Sequence, residues 1–133
     1  MASEERRNAD RVVGPLVDKR MRALCLEGLK RLMEKTPVRS GRAKANWNAS
    51  TGSADGSADE GATLADVEAK RAEGMAQILA TEFFERDEHL FVANGLDYIE
   101  ALEDGHSGQA PQGMVALTVE ELRGTAASIG KGL

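Results

Sequence analysis

The sequence predicts an α+β fold in which a long N-terminal helix and a second helix pack on a small, mainly antiparallel β-sheet. Apolar side chains recur at spacings of three and four over residues 15–35 and 63–81, as they do in amphipathic helices. Three short stretches, close to 44–50, 88–94 and 113–118, are instead typical of strands. We expect these stretches to form the sheet.

The composition is that of one soluble globular domain spanning residues 1–133. The chain is 41% hydrophobic and 29% charged, and its length supports one modest core. The single cysteine, Cys25, excludes an internal disulfide and a cysteine-rich zinc site. No apolar run approaches the roughly 18 residues that cross a bilayer, and residues 1–7 do not resemble a signal peptide. We therefore expect neither a secreted nor a membrane protein.

The N-terminal helix is predicted to run from Pro15 to Lys35. Residues 1–10 are strongly charged, and we expect them to be frayed. Proline suits the first turn of a helix, and Thr36 stands before a second proline, which disfavours further helix. Cys25 lies beside the apolar stripe, and we interpret it as a partly buried hydrophobe rather than a nucleophile.

Residues 36–47, TPVRSGRAKANW, predict a turn followed by a strand. We expect Trp47 to be buried against the N-terminal helix, because the rest of the chain has few aromatic side chains. A basic cluster next to an aromatic residue could also contact nucleic acid. The basic residues are Arg39, Arg42 and Lys44, and the aromatic residue is Trp47. Three charges are too few to carry that function alone.

Residues 50–62, STGSADGSADEGA, contain no apolar side chain larger than alanine. We expect a flexible loop that does not pack by itself. Its acidic part, 55–60, lacks the full ligand set of a calcium loop. Thr63 is predicted to cap the second helix, with Asp66 in a capping-box position. Gly74 interrupts that helix, so a strand beginning near Met75 stays open as an alternative.

The segment 90–113 is rich in turn signals. An apolar run ends at Asn94-Gly95, a pair that favours a tight turn with positive φ, and a short helix over 98–103 follows. Glycine and proline then forbid regular structure over 105–113, which predicts a contact loop. A last helix is predicted over 119–129, capped by Thr118, with 130–133 frayed.

No pattern in the sequence indicates catalysis, a metal or a cofactor. The two histidines, His89 and His106, have no second ligand at metal spacing. The carboxylates Glu100, Glu103 and Asp104 adjoin no nucleophile or phosphate-binding loop. We expect a protein that is not an enzyme.

Two segments of the chain carry a resemblance to a known family. Residues 36–47 and residues 92–115, VANGLDYIEALEDGHSGQAPQGMV, together resemble the neck and tail-completion proteins of tailed phages, which include minor tail protein Z-like proteins. The resemblance covers most of residues 15–123. It implies a virion structural protein at the head–tail junction of a long-tailed phage, formed in the host cytoplasm during assembly. A tail terminator, or another phage ring component, is the alternative.

The resemblance also implies the partners. The chain would form a cyclic homo-oligomer, a hexamer in preference to a dodecamer, around a channel through which phage DNA passes without sequence-specific binding. It would contact the head-closure or connector ring on one side and the tail terminator or tail tube proteins on the other. No membrane is involved.

The charge distribution suggests how such a ring could close. Residues 1–47 carry 12 Lys and Arg against 6 Asp and Glu, whereas residues 48–133 carry 5 against 16. Opposite charges on one subunit suit a head-to-tail interface. We expect the loop 105–113 to contact a neighbour and the basic segment to supply an oppositely charged patch. The predicted interface residues are Arg39, Arg42, Tyr98, Glu103, Ser107, Gln109, Pro111 and Met114.

Overall fold

A computed structural model describes residues 2–131. Within them the helices and strands follow in the order α1 (Ala2–Lys35), β1 (Trp47–Thr51), α2 (Val67–Ala80), β2 (Leu90–Asn94), α3 (Ile99–Glu103) and α4 (Val115–Lys131). Short 3₁₀ turns at Lys44–Asn46 and Leu64–Asp66 precede β1 and α2. The predicted α+β fold is confirmed, since helices led by a long N-terminal one accompany a small antiparallel sheet.

The sheet of the described region has two strands, not the predicted three. β1 and β2 pair antiparallel, from Trp47 opposite Asn94 to Thr51 opposite Leu90. The expected strand at 113–118 is wrong, because α4 begins at Val115. A two-stranded ribbon is marginal in water, so this one depends on the helices packed against it. Both α1 and α2 contribute side chains to the core that it shares.

α1 is longer than the sequence predicts. It is helical from Ala2, so the expected frayed end at 1–10 is wrong for residues 2–10, while Met1 lies outside the described residues. The side chains of residues 3–13 are exposed, which is why their sequence carries no apolar stripe. The helix ends where predicted: Thr36 donates its hydroxyl hydrogen to the carbonyl oxygen of Leu32 at 2.6 Å, and Pro37 follows.

The core forms where α1, α2 and the sheet meet. The predicted burial of Trp47 is confirmed: its side chain is 4% exposed and belongs to one apolar cluster with Leu29, Leu32 and Met33 of α1. Its indole N–H donates to the hydroxyl oxygen of Thr36 at 2.8 Å. The only polar atom of this large side chain is therefore satisfied inside the core.

α2 is one continuous helix, so the alternative of a strand from Met75 is wrong. Thr63 and Asp66 form the predicted capping box, although the first turn that follows is 3₁₀ rather than α-helical. Gly74 has a packing reason: a Cβ there would lie 2.7 Å from a methyl carbon of Leu29. The glycine lets α2 approach α1 closely.

α4 begins four residues before the predicted helix and extends to Lys131. Of the residues 130–133 that were expected to be frayed, Gly130 and Lys131 are helical, and 132–133 lie outside the described region. Thr118 is buried within α4 and does not cap it. α4 packs on α1, with Leu122 against Gly28, where a Cβ would lie 3.1 Å from a Leu122 methyl carbon. None of the described helices is long and apolar enough to cross a membrane.

The segment 50–62 lacks regular structure beyond Thr51, but the expectation that it cannot pack is wrong. The side-chain amide of Asn48 donates to the carbonyl oxygens of Asp55 and Ser57, at 3.1 and 2.9 Å. Asn46 exchanges two hydrogen bonds with the backbone of Asp59, and Ala62 lies in the core. Two asparagines therefore hold a loop that has almost no apolar side chains of its own.

The expected positive-φ turn at Asn94-Gly95 is wrong. Gly95 is not in the left-handed region. It is needed for space, because a Cβ there would overlap the carbonyl oxygen of Gly56 in the loop described above. The sequence pattern correctly singled out Gly95, but the glycine is required by the close approach of Gly56 and not by a positive φ.

Candidate interaction surface

The fold brings together the two segments that carry the family resemblance. The side-chain amide of Asn94 donates to the carbonyl oxygen of Ala43 at 2.9 Å. The backbone N–H of Val38 donates to the side-chain oxygen of Gln109 at 3.0 Å. These two hydrogen bonds join residues separated by 51 and 71 positions in the chain. The two segments therefore form one continuous surface.

Glycines shape the turns of this surface. Gly41, Gly105 and Gly113 have φ of 79°, 88° and 81°, which other residues rarely adopt. A Cβ at Gly41 would also overlap the backbone of Leu64, and one at Gly105 the carbonyl oxygen of Pro111. Within the loop 105–113, Ala110 is buried in the core cluster and fixes the loop to the subunit. The loop is thus a compact, preformed structure.

Between the two segments lies a surface groove with a volume of about 580 Å³. Pro37, Ala43, Leu102 and the ring of Tyr98 give it an apolar part. The polar part of the lining carries hydrogen-bond donors and includes no carboxylate. It consists of Arg39, Ser40, the hydroxyl group of Tyr98, His106, Ser107 and Gln109, with Gly108 between the last two. The groove is suited to an anionic group attached to small apolar atoms.

Arg39 is the cation of the groove. Its side chain is exposed, and it has no hydrogen-bond or ion-pair partner among residues 2–131. An arginine presents five N–H donors in a planar fork that matches a carboxylate. Because the protein itself does not use these donors, they are available to a partner.

Four of the eight predicted interface residues line the groove: Arg39, Tyr98, Ser107 and Gln109. Two others lie on the surface outside it. Arg42 is half-buried, with its guanidinium 3.9 Å from the carboxylate of Glu60, and Pro111 is exposed. Since Arg39 shares the groove with the loop 105–113, the loop and Arg39 lie on one surface and not on two separate ones.

The other two predicted interface residues are structural. Met114 is fully buried and cannot contact a partner. The carboxylate of Glu103 accepts hydrogen bonds from the backbone N–H groups of Met114, Val115 and Ala116, at 2.7 to 3.0 Å. Burial alone raises the pKa of Glu103, but these three hydrogen bonds outweigh burial and lower its pKa below the usual value. Glu103 caps the first turn of α4, where a carboxylate also complements the helix dipole.

Sequence reasoning missed part of the groove. From the sequence, His106 was considered only as a metal ligand without a partner, and the structure places it in the groove wall beside Ser107. Ser40 and Leu102 line the groove as well. All three residues lie within the two resembling segments, and this position was the available signal, because a loop that carries one lining residue often carries its neighbours.

The remaining candidate sites do not form chemical centres in the part of the chain that is described. Residues 2–131 contain no group of three or more His, Cys, Asp or Glu side chains that could hold a metal. Burial raises the pKa of the Cys25 thiol, which lowers its thiolate fraction and its reactivity. In the acidic loop, Asp55 accepts hydrogen bonds from Ser57, and Asp59 accepts one from Gly61. These carboxylates order their own turns.

Trp47, the aromatic residue of the alternative nucleic-acid contact, is not available for binding. Trp47 is 4% exposed and cannot stack on a base. Arg42 lies near Glu60, which leaves two basic side chains of the cluster, Arg39 and Lys44, without an ion pair among the described residues. Two such charges provide little of the phosphate neutralisation on which DNA binding depends.

Part of the opposite charge in the two halves of the chain is neutralised within the subunit. Glu121 of α4 accepts hydrogen bonds from Lys35 and Arg31 of α1, at 2.8 and 2.7 Å. These contacts, first with Lys35 and then with Arg31, lower the pKa of Glu121. The acidic residues of the loop at 52–61 take little part in this neutralisation, since among residues 2–131 only Glu60 of the loop has a basic side chain within ion-pair distance.

No model of a protein family, no curated protein and no solved structure matches this chain.

Proposed function

We propose that this chain is a structural protein of a long-tailed phage that forms a ring at the head–tail junction and joins the capsid connector to the tail. The resemblance of residues 36–47 and 92–115 to neck and tail-completion proteins motivates the proposal. The observation that carries it is that these two segments form one surface, tied by Asn94 to Ala43 and by Gln109 to Val38. That surface holds an exposed groove.

The chemistry of the groove favours binding over catalysis. A catalytic site needs a nucleophile or general base in hydrogen-bond contact with an orienting group. The groove has one histidine and two serines, but no hydrogen bond joins His106 to either serine among the described contacts. Ser107 instead accepts from the backbone N–H of Gln109, which shapes the loop. Binding to another protein is the use that these residues fit.

The ring is proposed as a homo-oligomer, with six copies favoured over twelve on the resemblance to tails of sixfold symmetry. It would surround the path of the DNA without reading its sequence, in the virion neck, after assembly in the host cytoplasm. Its neighbours would be the head-closure or connector ring and the tail terminator or tail tube proteins. A tail terminator is the second candidate.

Inactivating the gene in the phage that carries it tests the proposal. We expect the lysate to contain DNA-filled heads and separate tails of normal length, and we expect added purified protein to join them. Electron microscopy of the particles gives the result directly. Tails of abnormal length would instead favour the terminator, and normal infectious particles would contradict both candidates.

A further inference from the structure

We propose that the groove binds the acidic loop of a second copy of this chain, where the acidic loop is residues 52–61. The inference rests on the proposed function and deepens it, because it names the two surfaces that would meet between adjacent subunits. It starts from the finding that Arg39 and the loop 105–113 share one groove. The complementary surface must therefore lie elsewhere on the subunit.

The groove defines what its partner must supply. It offers a guanidinium, hydroxyl groups, an imidazole and an amide, and none of its lining residues is acidic. The partner should therefore carry carboxylates. A volume of about 580 Å³ lies within the range of about 300 to 1,000 Å³ that is usual for small-ligand sites, so the inserted segment should have small side chains.

The acidic loop meets both requirements. It reads GSADGSADEG, with three acidic residues, no basic residue and no side chain larger than glutamate. Each of its ten residues is exposed. Since a ring with a closed heterologous interface needs two different patches on each subunit, a groove and a separate loop of opposite charge satisfy the geometry of such a ring.

The loop is also preorganised for insertion. Asn48 and Asn46 bind its backbone at Asp55, Ser57 and Asp59, and Gly56 lies against Gly95. A loop already held in place loses less conformational entropy when it docks.

Cross-linking of the purified full-length chain tests the contact. Arg39→Lys places an amine in the groove, and a zero-length carbodiimide joins amines to nearby carboxylates. In an equal mixture of ¹⁵N-labelled and unlabelled Arg39→Lys protein, we expect mixed-isotope peptides that link position 39 to residues 52–61. Val38→Lys is the matched control, because Val38 is an exposed neighbour that does not line the groove. The proposal is overturned if mixed-isotope links to the loop are absent for Arg39→Lys or equally abundant for Val38→Lys.

Mixing two defective variants gives an independent test. Arg39→Glu keeps the loop and damages the groove, whereas the triple variant Asp55→Asn, Asp59→Asn, Glu60→Gln keeps the groove and neutralises the loop. We expect each alone to self-associate about tenfold or more weakly than the unmodified chain, since like charges or lost pairs cost at least about 1.4 kcal/mol. A mixture of the two should form one-to-one complexes, detected by sedimentation velocity with one variant labelled. Failure of the mixture to pair, with both variants folded by circular dichroism, would overturn the proposal.

These experiments separate the two proposals. They use the purified chain alone, so loop–groove pairing can be found even if the phage experiment fails. Conversely, a normal head–tail joining function without loop–groove links would leave the function in place and reject this interface.

Discussion

Trp47 and Thr36 are joined by a buried hydrogen bond between a strand and the end of the longest helix. The indole N–H donates to the threonine hydroxyl oxygen at 2.8 Å, and the same hydroxyl donates to the carbonyl oxygen of Leu32 at 2.6 Å. Both side chains are almost completely buried. The pair fixes where α1 stops relative to where β1 starts, and the first resembling segment lies between them.

Removing either partner of this hydrogen bond should lower the free energy of unfolding. We expect Trp47→Ala to lower the free energy of unfolding by about 3 to 5 kcal/mol, as large core truncations do. Thr36→Val keeps the shape but leaves the indole N–H buried without an acceptor, at a cost of about 1 to 3 kcal/mol. Urea unfolding of both variants measures this, with Val38→Ala as an exposed control. A Thr36→Val variant as stable as the unmodified chain would show that the hydrogen bond is not needed.

Glu103 should make stability depend on pH in the acidic range. Its pKa is lowered in the folded state, so its contribution is fully present above the unfolded pKa of about 4.3 and is lost as the pH falls through the lower folded pKa. Glu103→Gln should therefore destabilise the protein at neutral pH, by about 0.5 to 2 kcal/mol for a weakened helix cap. The difference between Glu103→Gln and the unmodified chain should shrink as the pH falls below about 4.

Urea unfolding of both proteins from neutral to acidic pH measures this difference. Glu100→Gln on the exposed face of α3 is the control, because no hydrogen bond of its carboxylate to α4 is found in the described region. A difference between Glu103→Gln and the unmodified chain that stays constant with pH would contradict the charged cap.

Gly95 should be required for the position of the acidic loop. Gly95→Ala introduces a Cβ that overlaps the backbone oxygen of Gly56, so one of the two segments must move. We expect a loss of about 1 to 3 kcal/mol, as for overpacking, and faster hydrogen exchange in residues 55–59. Gly108→Ala is the control, since a Cβ there meets no atom within 4 Å. Unchanged exchange in the loop of Gly95→Ala would mean that the contact does not hold it.

The sequence was sufficient for the existence of α1 and α2 and for the burial of Trp47, because these follow from local periodicity and from the scarcity of aromatic residues. It was not sufficient to show that residues 115–118 belong to α4 and not to a third strand. Met114 and Val115 begin an apolar run that fits a strand or a helix, and the choice is made by Glu103, eleven residues away, whose carboxylate binds three backbone N–H groups. Such a long-range cap leaves no periodic signal.

The candidate site was predictable in its residues but not in its arrangement. Arg39 and the loop 105–113 were recognised as surface features, yet only the hydrogen bonds from Asn94 and Val38 show that they share a groove. The acidic loop was likewise underestimated, because its order comes from Asn46 and Asn48 in another segment and not from its own composition. Buried asparagines adjacent to a polar loop are a signal that composition alone does not reveal.

Substitutions of Gln109 should distinguish effects on the stability of the subunit from effects on its assembly. Its side-chain oxygen accepts the backbone N–H of Val38, while its position in the groove exposes it to a partner. Gln109→Glu keeps an acceptor for that N–H and adds a negative charge to a groove that has none. The free energy of unfolding should therefore change by no more than about 0.5 kcal/mol, and the thermal midpoint should change little. The new carboxylate should repel the acidic loop, and the variant should weaken self-association and block head–tail joining.

Gln109→Ala is the matched control: it loses the hydrogen bond to Val38 without adding charge, so it should lower stability more and assembly less. Thermal unfolding and in vitro joining of heads and tails measure the two effects side by side. If Gln109→Glu joined heads to tails as well as the unmodified chain, the groove would not be the surface that meets a negatively charged partner.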